Sequence, residues 1–493
     1  MKVDALQNVE TPVPVFKTYI GNLLYSTLDF TQELGGTTPS IFGQIDIQNI
    51  FSRDFDSISI GRIQLQQIED CQGSLRVNIL SSRQKGQLGS NPSGLSVDTS
   101  GGRKVLTVAE YAKRISADSF SVVIALADEI PLFSGSKSSS KSTARSLLWL
   151  KQLKENKLLN WEDIYLFGVT GALSHENHSL TATASPIEID KKIFTNATEL
   201  LNLGCNGLVV GGAGMGESLH QLEVAIRTVK HAATSSSAVE ITDTAVDNSI
   251  YNCHRRVMVM VQEMDTIREI LLAVRSGGDF IGTNLPQIIS TAGLALTWDL
   301  KRRTYNQRTT GSSRTSSFDA AKRKLSSEAE SEGIENEIEN STKKQNVGET
   351  IAVSTALPTA STCTGVNSAA STSVQGELVE SKSSPVHETP DDFKNARSAG
   401  GVINLWETMH CKTLRPILEG CECHACKHHT RAYIHHLLLA KEMLGDILVY
   451  CHNQHQIVQL FNEIRYLQKA DIGDPGGGGA FDEWSASLIA VMH

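Results

Sequence analysis

The residues with the most defined chemistry are three cysteines, Cys421-x-Cys423-x-x-Cys426, followed at a distance by His452-Asn453. Three thiolates and one imidazole make a closed tetrahedral shell for zinc, of the kind that leaves no position for a substrate. The sulfurs can wrap one ion only if the backbone between them is a tight knuckle, and the fourth ligand must then return from elsewhere. One Zn2+ per chain is expected, held by Cys421, Cys423, Cys426 and His452, with the task of fastening chain segments together. His424, His428, His429, His435 and His436 are competing donors. His428 and His429 sit too near the knuckle for an easy return, which favours His452. The plainer alternative is a cluster of buried thiols or a redox pair, since Cys423-x-x-Cys426 alone is a weak signal.

The segment Lys427–Leu444 repeats apolar residues at helical intervals with no Gly or Pro, so a helix is expected to carry the chain away from the knuckle and return the histidine. Upstream, 121–127, 164–170, 206–211 and 256–261 are continuous apolar runs, as strands buried on both faces should be. Helical patterns over 144–159, 194–203, 217–232 and 266–274 separate them. Such alternation implies a parallel sheet, either a (β/α) barrel or a doubly wound sheet, and periodicity does not choose between them.

Composition sets the boundaries. Residues 301–400 hold 29 Ser or Thr and three aromatics, Tyr305, Phe318 and Phe393. A stretch so poor in large apolar groups cannot offset its ordering entropy, so 303–398 is expected to be a disordered insertion. The serine-rich run 134–143 is expected to be a smaller one. The barrel or sheet then occupies 1–302, the metal-binding subdomain with closing helices 399–470, and a tail opening on the glycine run at 473–479 occupies 471–493. The formal net charge is −9 over 493 residues. No signal peptide and no bilayer-spanning run is evident. Nine cysteines, five of them near the metal ligands, suit a reducing compartment, and the cytoplasm is expected.

Cys421-Glu-Cys-His-Ala-Cys-Lys-His-His-Thr-Arg-Ala-Tyr-Ile-His-His436, with His452-Asn453 beyond it, resembles the zinc signature of the tRNA-guanine transglycosylases. Asp128-Glu-Ile-Pro131, Gly211-Gly-Ala-Gly-Met-Gly-Glu217 and Gly277-Gly-Asp-Phe-Ile-Gly-Thr-Asn-Leu-Pro286 resemble three further motifs of that family. The likeness covers 104–300 and 401–470, and the first hundred residues only faintly. It implies a (β/α)8 TIM-type barrel with a C-terminal zinc-binding subdomain.

Two departures matter. Gly282 stands where the resemblance places the aspartate that attacks the ribose, and a residue without a side chain cannot perform covalent catalysis. Asp98-Thr-Ser-Gly-Gly-Arg103 is the nearest match to the second catalytic motif, and reads as a loop with a chance similarity. No catalytic residue is therefore assigned. The resemblance then points to the family's non-catalytic accessory subunits, which pair with a catalytic subunit of the same fold in the queuine tRNA-ribosyltransferase heterodimer. That complex exchanges guanine for queuine at the wobble position of tRNAs with G-U-N anticodons. The resemblance implies tRNA as a partner, no DNA, no transmembrane segment, and a peripheral association with the mitochondrial outer membrane for which no motif speaks.

Other readings accompany this one. A self-sufficient transglycosylase would use Asp279 or Asp98, and an unrelated zinc-clamped module would let 401–493 bind RNA alone. Asp128 reads as a helix-capping acid or a relic of base recognition. Gly211, Gly212, Gly214 and Gly216 read as a tight barrel turn before a phosphate cradle. Lys427, Arg431 and Arg255-Arg256 are candidates for phosphate or partner contacts, although each alone is more simply a solvated cation.

Overall fold

The computed structural model describes residues 9–18, 40–46, 75–81, 92–99, 102–117, 120, 122–174, 189–238, 256–298, 401–473 and 479–491. Eight strands, all parallel, close into a barrel. In order around it they are β1 (Val13–Thr18), β10 (Phe280–Thr283), β9 (Met258–Val261), β8 (Gly207–Val209), β7 (Tyr165–Val169), β6 (Val122–Ile124), β3 (Leu75–Ser81) and β2 (Ser40–Asp46). The choice that periodicity left open thus falls to the barrel. Val15, Phe42, Ile79, Phe167, Met260 and Phe280 fill its interior. Phe42 and Phe167 each form a T-shaped pair with Phe280 at centroid distances of 5.0 and 6.0 Å, a geometry that suits aromatic quadrupoles.

Four of the eight strands, β6 to β9, lie where apolar runs place them, and β10 lies within the motif at 277–286. The other three come from the first hundred residues, where Pro14, Gly43 and Gln44 interrupt the runs and hide them. Their register is nonetheless unambiguous, with Val15 opposite both Gly282 and Phe42.

Helices follow the strands: α1 (Val108–Ala117), α2 (Ser136–Lys154), α3 (Lys191–Asn202), α4 (Leu219–Ala238), α5 (Ile267–Arg275) and α6 (Leu285–Thr291). Two expectations are corrected here. The serine-rich run is not an insertion but the first half of α2. Trp149, Leu150 and Leu153 anchor that helix in the core, and the buried Ser142 donates its hydroxyl to the carbonyl of Asp128. Asp98 lies not in a loop but in β4 (Leu95–Thr99), which pairs with β5 (Gly102–Leu106) in a hairpin that sets Asp98 opposite Arg103.

Beyond the barrel, β11 (Leu294–Leu296) pairs antiparallel with β12 (Val402–Asn404), and Thr297 N donates to Gly401 O at 2.8 Å. The chain leaves at 298 and re-enters at 401 on adjacent strands. The expected insertion at 303–398 lies outside the described residues.

The single helix expected over Lys427–Leu444 is three. They are α7 (His424–His428), α8 (Arg431–Leu439), and α9 (Met443–Gly473), the last of which carries His452. The breaks have local causes. Thr430 caps α8 by accepting from Tyr433 N at 3.3 Å, and Lys441 takes a left-handed φ of 56° before α9. Nor does order end at the glycine run, because α10 (Ala480–Val491) buries Phe481, Trp484 and Leu488 against the core. Among the described residues no helix is long and apolar enough to cross a membrane.

Candidate metal centre

The knuckle, α7 and α9 bring Cys421, Cys423, Cys426 and His452 together, with all four ligand atoms within 4.8 Å of one another. His452 Nδ1 lies 3.7, 3.5 and 3.3 Å from the three sulfurs in that order. A tetrahedral zinc ion bound by sulfur and nitrogen would set those edges at about 3.5 Å. The residues therefore fit the group, and the fit is to a closed shell. The competing histidines stay outside it. His424, His428 and His429 face one another at centroid distances of 4.6 and 5.8 Å from His424, His435 points its Nδ1 at Leu405 O at 2.8 Å, and His436 is exposed.

A second set of contacts orients the ligands. His452 Nε2 lies 2.6 Å from Leu296 O, and a carbonyl only accepts, so the proton sits on Nε2 and the Nδ1 lone pair faces the sulfurs. Gln456, one turn after His452, donates Nε2 to Cys421 Sγ at 3.4 Å, and Cys426 N donates to Cys423 Sγ at 3.4 Å. Asn453 accepts from Leu296 N at 2.9 Å and donates to Leu294 O and Ser290 Oγ at 2.9 and 2.8 Å. The roles of Asn453 and Gln456 are not legible in the sequence. The one available signal is that Gln456, four residues on from His452, shares its helix face.

The electrostatics favour a cation. Burial alone would lower the His452 imidazole, but the negative sulfurs around it outweigh burial and push it up to about 10. Hydrogen bonds from the neighbouring thiols hold Cys421 well below the usual thiol range, while Cys423 is pushed up by the same shared bonds and by burial. Ligands bind a metal only when deprotonated, so a divalent ion would take the place of protons in this shell. Ala295, Leu405, Ile417, Ile434 and Leu448 pack around it, burying Cys423 and Cys426 and leaving Cys421 partly exposed.

The barrel mouth, at the strands' carboxyl ends, is the other place where chemistry could occur. Gly282 is buried there on β10, facing the interior with Val15 and Gln262. A polar network surrounds it. Gln262 Nε2 donates to Gln44 Oε1 at 2.9 Å, Gln44 Nε2 donates to Asp46 Oδ1 at 2.8 Å, and Lys17 pairs with Glu263 while lying 3.6 Å from Asp46. Because β10 lies between β1 and β9, the Lys17–Glu263 pair bridges the strand that carries Gly282.

Asp279 stands at the opposite end. Its carboxylate, 2% exposed, accepts from Lys230 Nζ at 2.9 Å, Val259 N at 2.9 Å, Thr11 Oγ1 at 3.1 Å and Arg256. It therefore ties β1, β9, β10 and α4 together at the amino end of the barrel, away from the mouth. Arg256 is consumed there, and Arg431 donates to the carbonyls of Pro416 and Ile417 at 3.0 and 2.7 Å, so neither is a free phosphate ligand. Arg255 lies outside the described residues, and Lys427 is exposed.

Asp128 caps none of the helices among the described residues. It pairs with Arg145 of α2, its Oδ2 accepting from Arg145 Nε at 2.8 Å. The glycine loop is a tight turn. Gly212 and Gly214 have φ of 77° and 71°, and a Cβ on Gly212 would lie 2.2 Å from Ile130 O. Its amides are already engaged, Gly212 N by Glu129 at 3.1 Å and Gly214 and Met215 N by Glu217 at 2.6 and 2.9 Å. A phosphate would have to displace carboxylates.

The sequence model of the family described as TGT, queuine tRNA-ribosyltransferase, matches residues 360–471, the stretch that contains the metal centre. Curated relatives named queuine tRNA-ribosyltransferase accessory subunit 2 are similar over a stretch of this chain. The Trichoplax adhaerens protein is 44% identical over 64 residues, 13% of this chain and 17% of its own length. The Homo sapiens protein is 44% identical over 69 residues, 14% of this chain and 17% of its own. The Xenopus laevis protein is 52% identical over 74 residues, 15% and 18% respectively. The matched stretch thus spans under a fifth of those relatives. Residues 360–471 match the model of the queuine tRNA-ribosyltransferase family, and the relatives similar to a stretch of this chain bear the name of that enzyme's accessory subunit 2.

Proposed function

We propose that this chain is the non-catalytic, zinc-stapled subunit of a heterodimeric queuine tRNA-ribosyltransferase. In that role it supports a catalytic subunit of like fold in exchanging guanine for queuine at the wobble position of tRNA. The observation that carries this reading is the barrel mouth. Gly282 offers no nucleophile, the Lys17–Glu263 pair bridges its strand, and the nearest acid in sequence, Asp279, is consumed at the far end. Covalent capture of a ribose carbon needs a carboxylate at the mouth with a clear approach. The alternative in which Asp279 attacks has its carboxylate saturated by four donors.

Cys421, Cys423, Cys426 and His452 would hold zinc, which supplies no reaction chemistry in a closed shell and instead fixes the fold around it. A partner subunit accounts for a second observation. Trp406, Met409, Leu414, Tyr433, Leu439 and Met443 are exposed on the metal-binding segment, where a partner could cover them. The cytoplasm is the proposed location, and peripheral attachment to mitochondria rests on the resemblance alone.

The test is an assay of labelled guanine exchange into tRNA by this chain, by a catalytic subunit, and by the pair. This chain alone should give background, and the pair should exceed the catalytic subunit. Turnover by this chain alone, or a pair no better than its catalytic member, would contradict the proposal.

A further inference from the structure

The first two turns of α2 present cations that nothing in the described structure balances. The helix carries Lys137, Lys141, Arg145, Lys151 and Lys154 and no Asp or Glu, in a chain of net charge −9. Three of these have protein partners. Arg145 binds Asp128, Lys151 reaches Glu199 at 3.6 Å, and Lys154 donates to Gly204 O at 3.2 Å. Lys137 and Lys141 are exposed and make no ion pair or side-chain hydrogen bond among the described residues. Lys137 sits at the positive end of the helix dipole, and Lys141, one turn on, repels it. Both charges work against the helix that carries them, and an anion would reverse the sign of both effects.

The neighbouring helix adds to the patch. Lys192 of α3 places Nζ 2.5 Å from Ser139 Oγ of α2, which sets the two amino-terminal turns side by side, and Lys191, the first residue of α3, is exposed. α2 and α3 follow β6 and β7, so the rim borders the mouth of the barrel. Phe133, which precedes α2, is 49% exposed. An exposed ring beside unpaired lysines is the combination that binds unstacked nucleic acid, with phosphates on the cations and a base on the ring. A lipid surface would require a larger polybasic cluster or an apolar helix face, and the apolar face of α2 is buried in the core.

We infer that Phe133, Lys137, Lys141 and Lys191 form a contact surface for an unstacked stretch of tRNA. The inference rests on the reading of this chain as a subunit of a tRNA-modifying enzyme. It places the contact on the barrel rim and not on the metal-binding segment.

The test uses the full chain in complex with a catalytic subunit and fluorescent tRNA, with anisotropy read across a series of KCl concentrations. The K137Q/K141Q/K191Q variant should bind roughly tenfold or more weakly, and its slope of log affinity against log salt should fall by about two to three, one for each phosphate that is no longer neutralised. F133A should weaken binding with the slope unchanged, and K157E, just beyond the far end of α2, should leave both as they are. An unaltered circular dichroism spectrum separates removal of the lysine charges from unfolding. A folded triple variant with wild-type slope overturns the inference while leaving the subunit reading intact. A wild-type complex that binds tRNA no better than the catalytic subunit alone overturns both. Loss of binding to anionic phosphatidylserine vesicles with tRNA affinity unchanged would assign the rim to lipid and also overturn it.

Discussion

A Cβ built on Gly282 lies 3.2 Å from Gln262 Cα and 3.4 Å from Val261 O, so a carboxylate there could be accommodated only tightly. It would then share the mouth with Glu263 and Asp46, whose negative charge opposes its ionised form. Gly282→Asp alone should therefore yield no guanine exchange above background, because the network and not only the missing side chain closes the site. Three residues earlier, Asp279 plays a structural part. Asp279→Ala leaves Val259 N without an acceptor and strips Lys230 and Arg256 of their counter-ion. Its cost should be about 2–4 kcal/mol, below the range for fully enclosed pairs because both cations reach solvent. Urea denaturation measures this, and a change under about 0.5 kcal/mol, the size expected of a neutral surface site, would contradict the clamp.

At the scale of elements, the metal centre joins pieces distant in sequence. The knuckle, α9 and β11 meet through His452, its bond to Leu296 O, and Asn453. Removing the ion should loosen β11, β12, α7 and the amino-terminal turns of α9 together, with the barrel retained. Hydrogen exchange after chelation would show this as faster exchange in 294–298 and 402–453 and unchanged exchange in β6 to β9. The sign with pH follows from the ligands, which bind the metal only when deprotonated. Protons compete as pH falls, so metal is released on acidification and kept on the alkaline side. Gln456→Ala, which removes a hydrogen bond to the Cys421 sulfur, should weaken metal affinity by about tenfold, as read by competition with a chromophoric chelator.

The cluster of Cys421, Cys423, Cys426 and His452 was legible because thiolate spacing is local, and four barrel strands because parallel strands buried on both faces read as apolar runs. What the sequence hid was decided by tertiary contacts. The serines of α2 look like a linker until Trp149 and Leu153 anchor them, and β1 and β2 carry the Lys17, Gln44 and Asp46 of the mouth in place of continuous apolar residues. The helix expected to return His452 is interrupted at Thr430 and Lys441, for which periodicity gave no warning because the apolar spacing runs on through both.

Across the whole molecule, α9 is the tie. Its 31 residues run roughly 46 Å, of which the stretch from His452 to Lys469, roughly 26 Å, joins the metal centre to the amino end of the barrel. There Arg465 donates to Pro12 O at 2.6 Å and Lys469 pairs with Glu10 at 2.9 Å. The exposed apolar side chains of the metal-binding segment therefore ride on a frame continuous with the barrel. If they are the docking face, L439E/M443E should reduce association with a catalytic subunit by tenfold or more, as measured by analytical ultracentrifugation, with metal content unchanged.

On the proposed reading, this barrel supports base exchange without capturing the sugar itself. Intact mass spectrometry of each polypeptide, after the assembled complex is trapped with tRNA in the absence of an incoming base, reads this out chain by chain. An RNA-linked mass is expected on the catalytic subunit and none on this chain. An RNA adduct on this chain, mapped to any of its carboxylates, would refute the non-catalytic role.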